Sequence, residues 1–211
     1  MPRYRKKTTE ASGFALKIRK KERTKRRVSD IVPDASLLLC PNVPKPMHGI
    51  APRVVLGGPW WEAERQAAFK SSLWCCEACG VHKEKAKARQ WMEGHEFYDI
   101  DYLEGKMFYV RTVSLCHYCH NFIHDGRLHG LLRQNKIHHG KFVAILQHGD
   151  KVLADAGLQR MSRRARDTFV ETMKQNGTLA LWHAWRLVVE GKEYLPRYRT
   201  EQEADEAYKR A

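Results

Sequence analysis

Residues 115–128 read LCHYCHNFIHDGRL, and this stretch decides the fold. Cys116 and Cys119 stand three apart, His120 follows directly, and His124 comes four residues later, ahead of Asp125-Gly126. A tetrahedral metal takes four ligands, so a segment offering at least four of its own raises the question of how many sites it serves. The answer starts from a second pair, Cys76 and Cys79, with 36 residues between Cys79 and Cys116. Two C-x2-C turns, each presenting two thiolates, complete a closed four-cysteine site for a structural Zn²⁺. Cys75 is the alternative to Cys76 as first ligand, although the x2 spacing favours Cys76. Cys40 stands alone in a Pro-rich segment.

With the cysteines so used, His120 and His124 remain. Spaced i, i+4 on a helix, they lie on one face about a turn apart, which suits joint metal binding. His95, mid-strand in MEGHEF, is best placed to complete the set. His95, His120 and His124 therefore form the candidate ligands of a second, open site. The other reading makes them a basic surface cluster or a reserve pair of zinc ligands, and His48, His82, His117, His129, His138, His139, His148 and His183 are left under that reading.

Working outward, residues 90–116 (QWMEGHEFYDIDYLEGKMFYVRTVSLC) carry aromatic and β-branched flanks around Glu104-Gly105, the pattern of a β-hairpin. After Cys119 the pattern becomes helical and is expected to stop near Gly126. Upstream, PWWEAERQAAFKSSLW (59–74) predicts a helix opened by Pro59, with Trp60, Ala63 and Ala67 on one stripe and Trp61 and Ala68 beside it. Six of the eight prolines fall between residues 31 and 59, the composition of an extended connector. Beyond residue 127, four segments ending in Asn or Gly predict helices, among them TLALWHAWRLVVEG (178–191). Trp182 and Trp185 within it are expected to be core or docking residues. Thr200 and Glu203 make a capping box for a last helix.

The formal charge is +14, which points to a polyanionic partner. Residues 1–30 hold twelve Lys/Arg against Glu10, Glu22 and Asp30, a basic arm suited to phosphates whether or not it is ordered. Its candidate nucleic-acid contacts are Arg3, Arg5, Lys6, Lys7, Arg19, Lys20, Lys21, Arg23, Lys25, Arg26 and Arg27. DNA is the expected partner, and RNA or a protein partner is the alternative use of the arm. The basic start is not followed by an apolar segment, so no secretion signal is expected, although an Arg-rich, acid-poor start imitates an organelle transit peptide. The longest apolar run, Phe142–Leu146, is far too short to cross a membrane. Six cysteines in such a chain suggest a reducing compartment and metal binding. The expectation is a cytoplasmic protein, nucleoid-associated in a bacterial or phage-infected cell.

Cys76 and Cys79, then Glu93-Gly94-His95-Glu96, then Leu115 through His124 resemble the HNH (His-Asn-His) nuclease family over residues 60–130. The resemblance implies an α+β fold: a small zinc-stapled ββα-metal core with a basic N-terminal arm and a mainly helical C-terminal extension. The corresponding divisions are 1–48, 49–135 and 136–211. It also implies a metal-dependent DNA endonuclease leaving 5′-phosphate and 3′-hydroxyl ends. A catalytic Mg²⁺ or Mn²⁺ would be held by His95, His120 and His124, with Glu96 as general base. In the other register His95 is the base and Gly94 leaves the ligand position empty unless Glu93 or Glu96 reaches in. The family's hairpin and helix lie against the minor groove, which makes Arg111 and Arg127 candidate phosphate contacts, Arg111 standing where an Asn is usual. The rival expectation is a zinc-stabilised nucleic-acid- or protein-binding module without catalysis.

If about six arm cations contact phosphates, deleting residues 1–30 should lower the log K versus log salt slope for DNA by roughly five. Binding titrations at several salt concentrations check this, and an unchanged slope would assign the arm to another partner.

Overall fold

A computed structural model describes residues 27–39 and 43–210. The arm up to residue 26 and Cys40 lie outside them, so of the arm cations only Arg27 is described, 3.7 Å from Asp30. The described residues make a mixed α+β fold with seven helices and one four-stranded sheet. In chain order these are α1 (Pro52–Val55), α2 (Gly58–Ser71), β1 (Glu93–Asp101), β2 (Lys106–Leu115), α3 (His117–Ile123), α4 (Asp125–Arg133), α5 (His139–Asp155), α6 (Arg163–Gln175), β3 (Arg186–Val189), β4 (Lys192–Tyr194) and α7 (Glu201–Arg210). None is long and apolar enough to cross a membrane.

The expected hairpin forms from β1 and β2, with Glu93 opposite Leu115, Asp101 opposite Lys106 and a bulge between Phe97 and Tyr98. Its turn is closed by Asp101, whose Oδ1 accepts the N–H groups of Leu103 (3.0 Å) and Glu104 (2.9 Å). The next helix differs from expectation. Cys116 is the N-cap of α3, its Sγ accepting the Cys119 N–H at 3.5 Å, so the helix begins before Cys119. It breaks at His124 (φ −84°, ψ 47°), and α4 then runs straight through Gly126.

Two further expectations are corrected. Residues 178–191 do not form an α-helix: after a single 3-10 turn at Trp182–Ala184, Arg186–Val189 is strand β3, parallel to β2 and antiparallel to β4. Leu187 and Val189 are buried, so a period of two ruled this stretch. The turn at Glu190 (φ 51°) and Gly191 (φ 72°) has the two positive φ values that a tight hairpin needs, and glycine supplies one of them without strain. On α2, Ala63 and Ala67 face solvent, while Ala68 and Phe69 are buried and Trp60 and Trp61 are half-buried. Turning aromatic rings inward removes more apolar surface from water than an alanine stripe would. Trp185 is a core residue as expected, and the Trp182 indole N–H donates to the Tyr198 carbonyl at 2.8 Å. Thr200 Oγ1 accepts the Glu203 N–H at 3.2 Å, the expected start of α7.

Two apolar clusters sit at the two ends of the hairpin. The first gathers Phe69, Met92, Val113, Leu115 and Phe122 with Phe142, Ile145 and Leu153 of α5, around the cysteines. The second joins Met47 and Ile50 from the connector to Met107, Trp185, Leu187 and Val189. Chain on both sides of the hairpin therefore completes its cores.

At the α3–α5 crossing a Cβ on Gly149 would lie 2.1–2.5 Å from the ring of Phe122, itself only 2 % exposed. Alanine would gain helix propensity worth about 1 kcal/mol, but overpacking of this degree outweighs it. Gly149→Ala should therefore lose about 1–3 kcal/mol in denaturant unfolding. Adding Phe122→Leu should recover part of that loss, and an unaltered midpoint for Gly149→Ala would refute the packing argument.

Candidate metal centres

Residues 72–81 place the first pair of cysteines. The Cys76 N–H donates to the Val81 carbonyl (2.9 Å) and the Gly80 N–H to the Cys76 carbonyl (2.8 Å), which makes a tight knuckle. Glu77 fastens it to the end of β2: its N–H donates to the Ser114 carbonyl (2.8 Å) and its Oε1 accepts the Ser114 N–H (2.8 Å). β2 ends one residue before Cys116, so this clamp delivers the first knuckle to the second.

All four sulfurs of Cys76, Cys79, Cys116 and Cys119 lie within 4.8 Å of one another, Cys79 and Cys116 at 3.9 Å. A tetrahedral ion with sulfur at about 2.3 Å sets S···S separations near 3.8 Å, so the cluster has the spacing and donors to hold a metal ion such as zinc. Cys75 is buried outside it, its thiol 3.8 Å from the Leu73 carbonyl. Neighbouring thiols hold Cys79 (through Cys116 and Cys119) and Cys116 (through Cys119 and Cys76) down to about 6, while Cys116 and its neighbours push Cys119 up. Thiolate, the ligating form, is thus the favoured state of Cys79 and Cys116. His148, from α5, brings its Nε2 to 3.3 Å from Cys119 Sγ. No local signal marked His148, because 29 residues and a helix crossing separate it from Cys119.

The second cluster joins β1 to α3. His95, His120 and His124 each bring a ring nitrogen within 4.8 Å of the others'. Ring centroids are 4.9 Å apart for His95–His124, 5.5 Å for His95–His120 and 4.7 Å for His120–His124. Burial, then His124, His120 and Arg53, push His95 down to about 2. Burial, then His120 and Arg127, push His124 down to about 4. Both rings are neutral at pH 7 and carry a lone pair. His95 Nδ1 is buried with no hydrogen-bond partner among the described residues, the state expected of a nitrogen that awaits a ligand.

Strand alternation puts Glu93 on the same face as His95. Its Oε1 is 2.7 Å from His117 Nδ1 and its Oε2 is 2.6 Å from His120 Nδ1, the latter an ion-pair contact not aligned as a hydrogen bond. Although burial opposes it, His117 and His120 hold Glu93 well below the usual carboxylate range. A carboxylate behind a ligand histidine orients the ring, and Glu93 holds that position. Gly94 faces the other way: a Cβ there would meet Arg65 at 3.0 Å and Trp61 at 3.2 Å on α2.

Glu96 is buried outside the histidine triad and pairs with Arg53 of α1, whose side chain is half-exposed and also lies over the Trp61 ring. His95, Glu96, His124, Arg53, Arg127 and Arg166 line a cleft of about 750 Å³ beside β1, an edge strand of the sheet. Arg127 also donates to Asn121 Oδ1 at 3.4 Å. Arg111 pairs with Glu77 at 2.5 Å and borders a different, smaller cavity. Arg53 was not marked by the sequence, where it is one cation in a Pro-rich connector.

No protein-family model, curated protein or solved structure matches the chain.

The chain should bind one tightly held zinc, and Cys116→Ser should lose both the zinc and the cooperative unfolding transition. His148→Ala should fold yet release zinc to a chelator roughly tenfold more readily. Retention equal to wild type would leave His148 without a role at the sulfurs.

Proposed function

We propose that this protein is a metal-dependent DNA endonuclease of the HNH kind. The observation that carries the reading is the convergence of His95, His120 and His124 across a strand and a helix, with burial keeping His95 and His124 neutral, beside a cleft that also holds Glu96. His95, His120 and His124 would hold a divalent ion. When bound, such an ion would stabilise the charge that develops on a phosphate oxygen and on the leaving 3′-oxygen. An all-imidazole donor set suits a transition ion, which favours Mn²⁺ over Mg²⁺.

The chain's own groups divide the remaining work. Glu93 keeps the His120 ring turned with its outer nitrogen toward the carboxylate. His95 is read as a ligand, because its ring packs directly against those of His120 and His124. Glu96 is then the general base: one carboxylate oxygen takes Arg53, and the other is left to accept a proton from water. Arg53 and Arg127 line the same cleft and are the cations proposed to meet a phosphate, whereas Arg111 borders a different cavity and is engaged by Glu77. Reaction in this sense yields a 5′-phosphate and a 3′-hydroxyl. The Glu96–Arg53 pair also supports a second reading, a zinc-stabilised binding module in which that carboxylate is purely structural.

Supercoiled plasmid incubated with Mn²⁺, with Mg²⁺ or with no added ion separates the two. Nicking that needs the added ion, runs faster with Mn²⁺ and vanishes in His124→Ala is the expected result. Glu96→Gln should slow turnover by about 10²–10⁴-fold with DNA affinity retained. If Glu96→Gln cuts as well as wild type while His95→Ala is dead with the metal still bound, His95 is the base. A wild type that never cuts leaves the binding module.

A further inference from the structure

Of the six tryptophans, Trp91 alone is more than a third exposed, at 49 %. The Arg89 guanidinium lies over its ring, 4.7 Å from the centroid. Residues 83–91 also expose Lys85 and Lys87, and their one acid is Glu84. The segment is pinned at both ends. Met92 is 2 % exposed and Ala86 8 % in the cysteine-side core, and the Lys83 ammonium sits 4.1 Å from the Trp74 ring centroid. An indole held open to solvent in a fixed place, among cations, has the make-up of a base-stacking platform.

We propose that residues 83–91 bind single-stranded DNA, with an unpaired base stacked on Trp91 and phosphates on Lys85, Lys87 and Arg89. Bases within a duplex already stack on one another, so a ring presented at a surface finds a free π-face only on an unpaired base. Trp91 lies four residues before His95, and four extended residues span at most about 13 Å. At the stacked spacing of 3.4 Å that maximum corresponds to about four nucleotide steps, and to fewer in an extended strand. Resting on the nuclease reading, the substrate class is DNA with an unpaired segment within about four nucleotides of the scissile phosphate: a fork, flap or overhang.

Binding is measured with no added divalent ion, so that nothing is cut, using a labelled single-stranded DNA, the same sequence as blunt duplex and the same sequence as RNA. Because Trp91 is exposed, Trp91→Ala should melt with wild-type protein. It should bind the single-stranded DNA roughly tenfold more weakly and the duplex within twofold of wild type. Trp91→Phe should keep most of the affinity. Lys85→Gln with Lys87→Gln should lower the single-strand salt slope by about 1.4. Wild-type affinity in Trp91→Ala, or an equal loss on duplex, overturns the proposal, and tighter binding of RNA overturns its assignment to DNA. A protein that binds in this way and never cuts would refute the nuclease reading alone. One that cuts forked and blunt DNA equally, with Trp91→Ala unaffected, would refute this proposal alone.

Discussion

Four sulfurs brought within 4.8 Å are the constraint on which the rest depends. Cys116 directly follows β2 and caps α3, so this one residue joins the strand to the helix. Cys76 and Cys79 arrive from a knuckle that Glu77 fastens to Ser114. Structural zinc in small peptides contributes roughly 10–16 kcal/mol, as much as the whole stability of an ordinary domain, about 5–15 kcal/mol. An ion bound here would outweigh any other single contact. It would also hold α3, and with it His120 and His124, against β1 and His95.

The two clusters share α3 but differ in chemistry. Four sulfurs within 4.8 Å of one another have the donors and spacing that a closed, tetrahedral structural site requires. The histidines are three; burial keeps His95 and His124 neutral, and these two open to a cleft that contains both signs of charge. Glu93 behind His120 and His148 behind Cys119 are each the outer partner of a would-be ligand. His148 reaches its sulfur from α5, so the chain beyond residue 136 is built into the metal-side core and contributes to the cysteine site itself.

The sequence by itself determined the groupings that rest on local spacing. The x2 pairs, the i, i+4 histidines, the aromatic hairpin flanks and the Thr200 cap are short-range patterns, and backbone geometry ties each to one local outcome. It separated Cys76 from Cys75 for the same reason. Only the tertiary structure decided the rest. Residues 178–191 carry a strand because β2 offers a partner edge and the Met107–Trp185 cluster offers burial, neither of which is encoded in that stretch. The inward face of α2 was set by what Gly94 allows to approach. Arg53, Glu93 and His148 acquire their positions from partners 24 to 43 residues away. A side chain's chemistry is written at its own position, but its electrostatic surroundings belong to whatever packing places beside it.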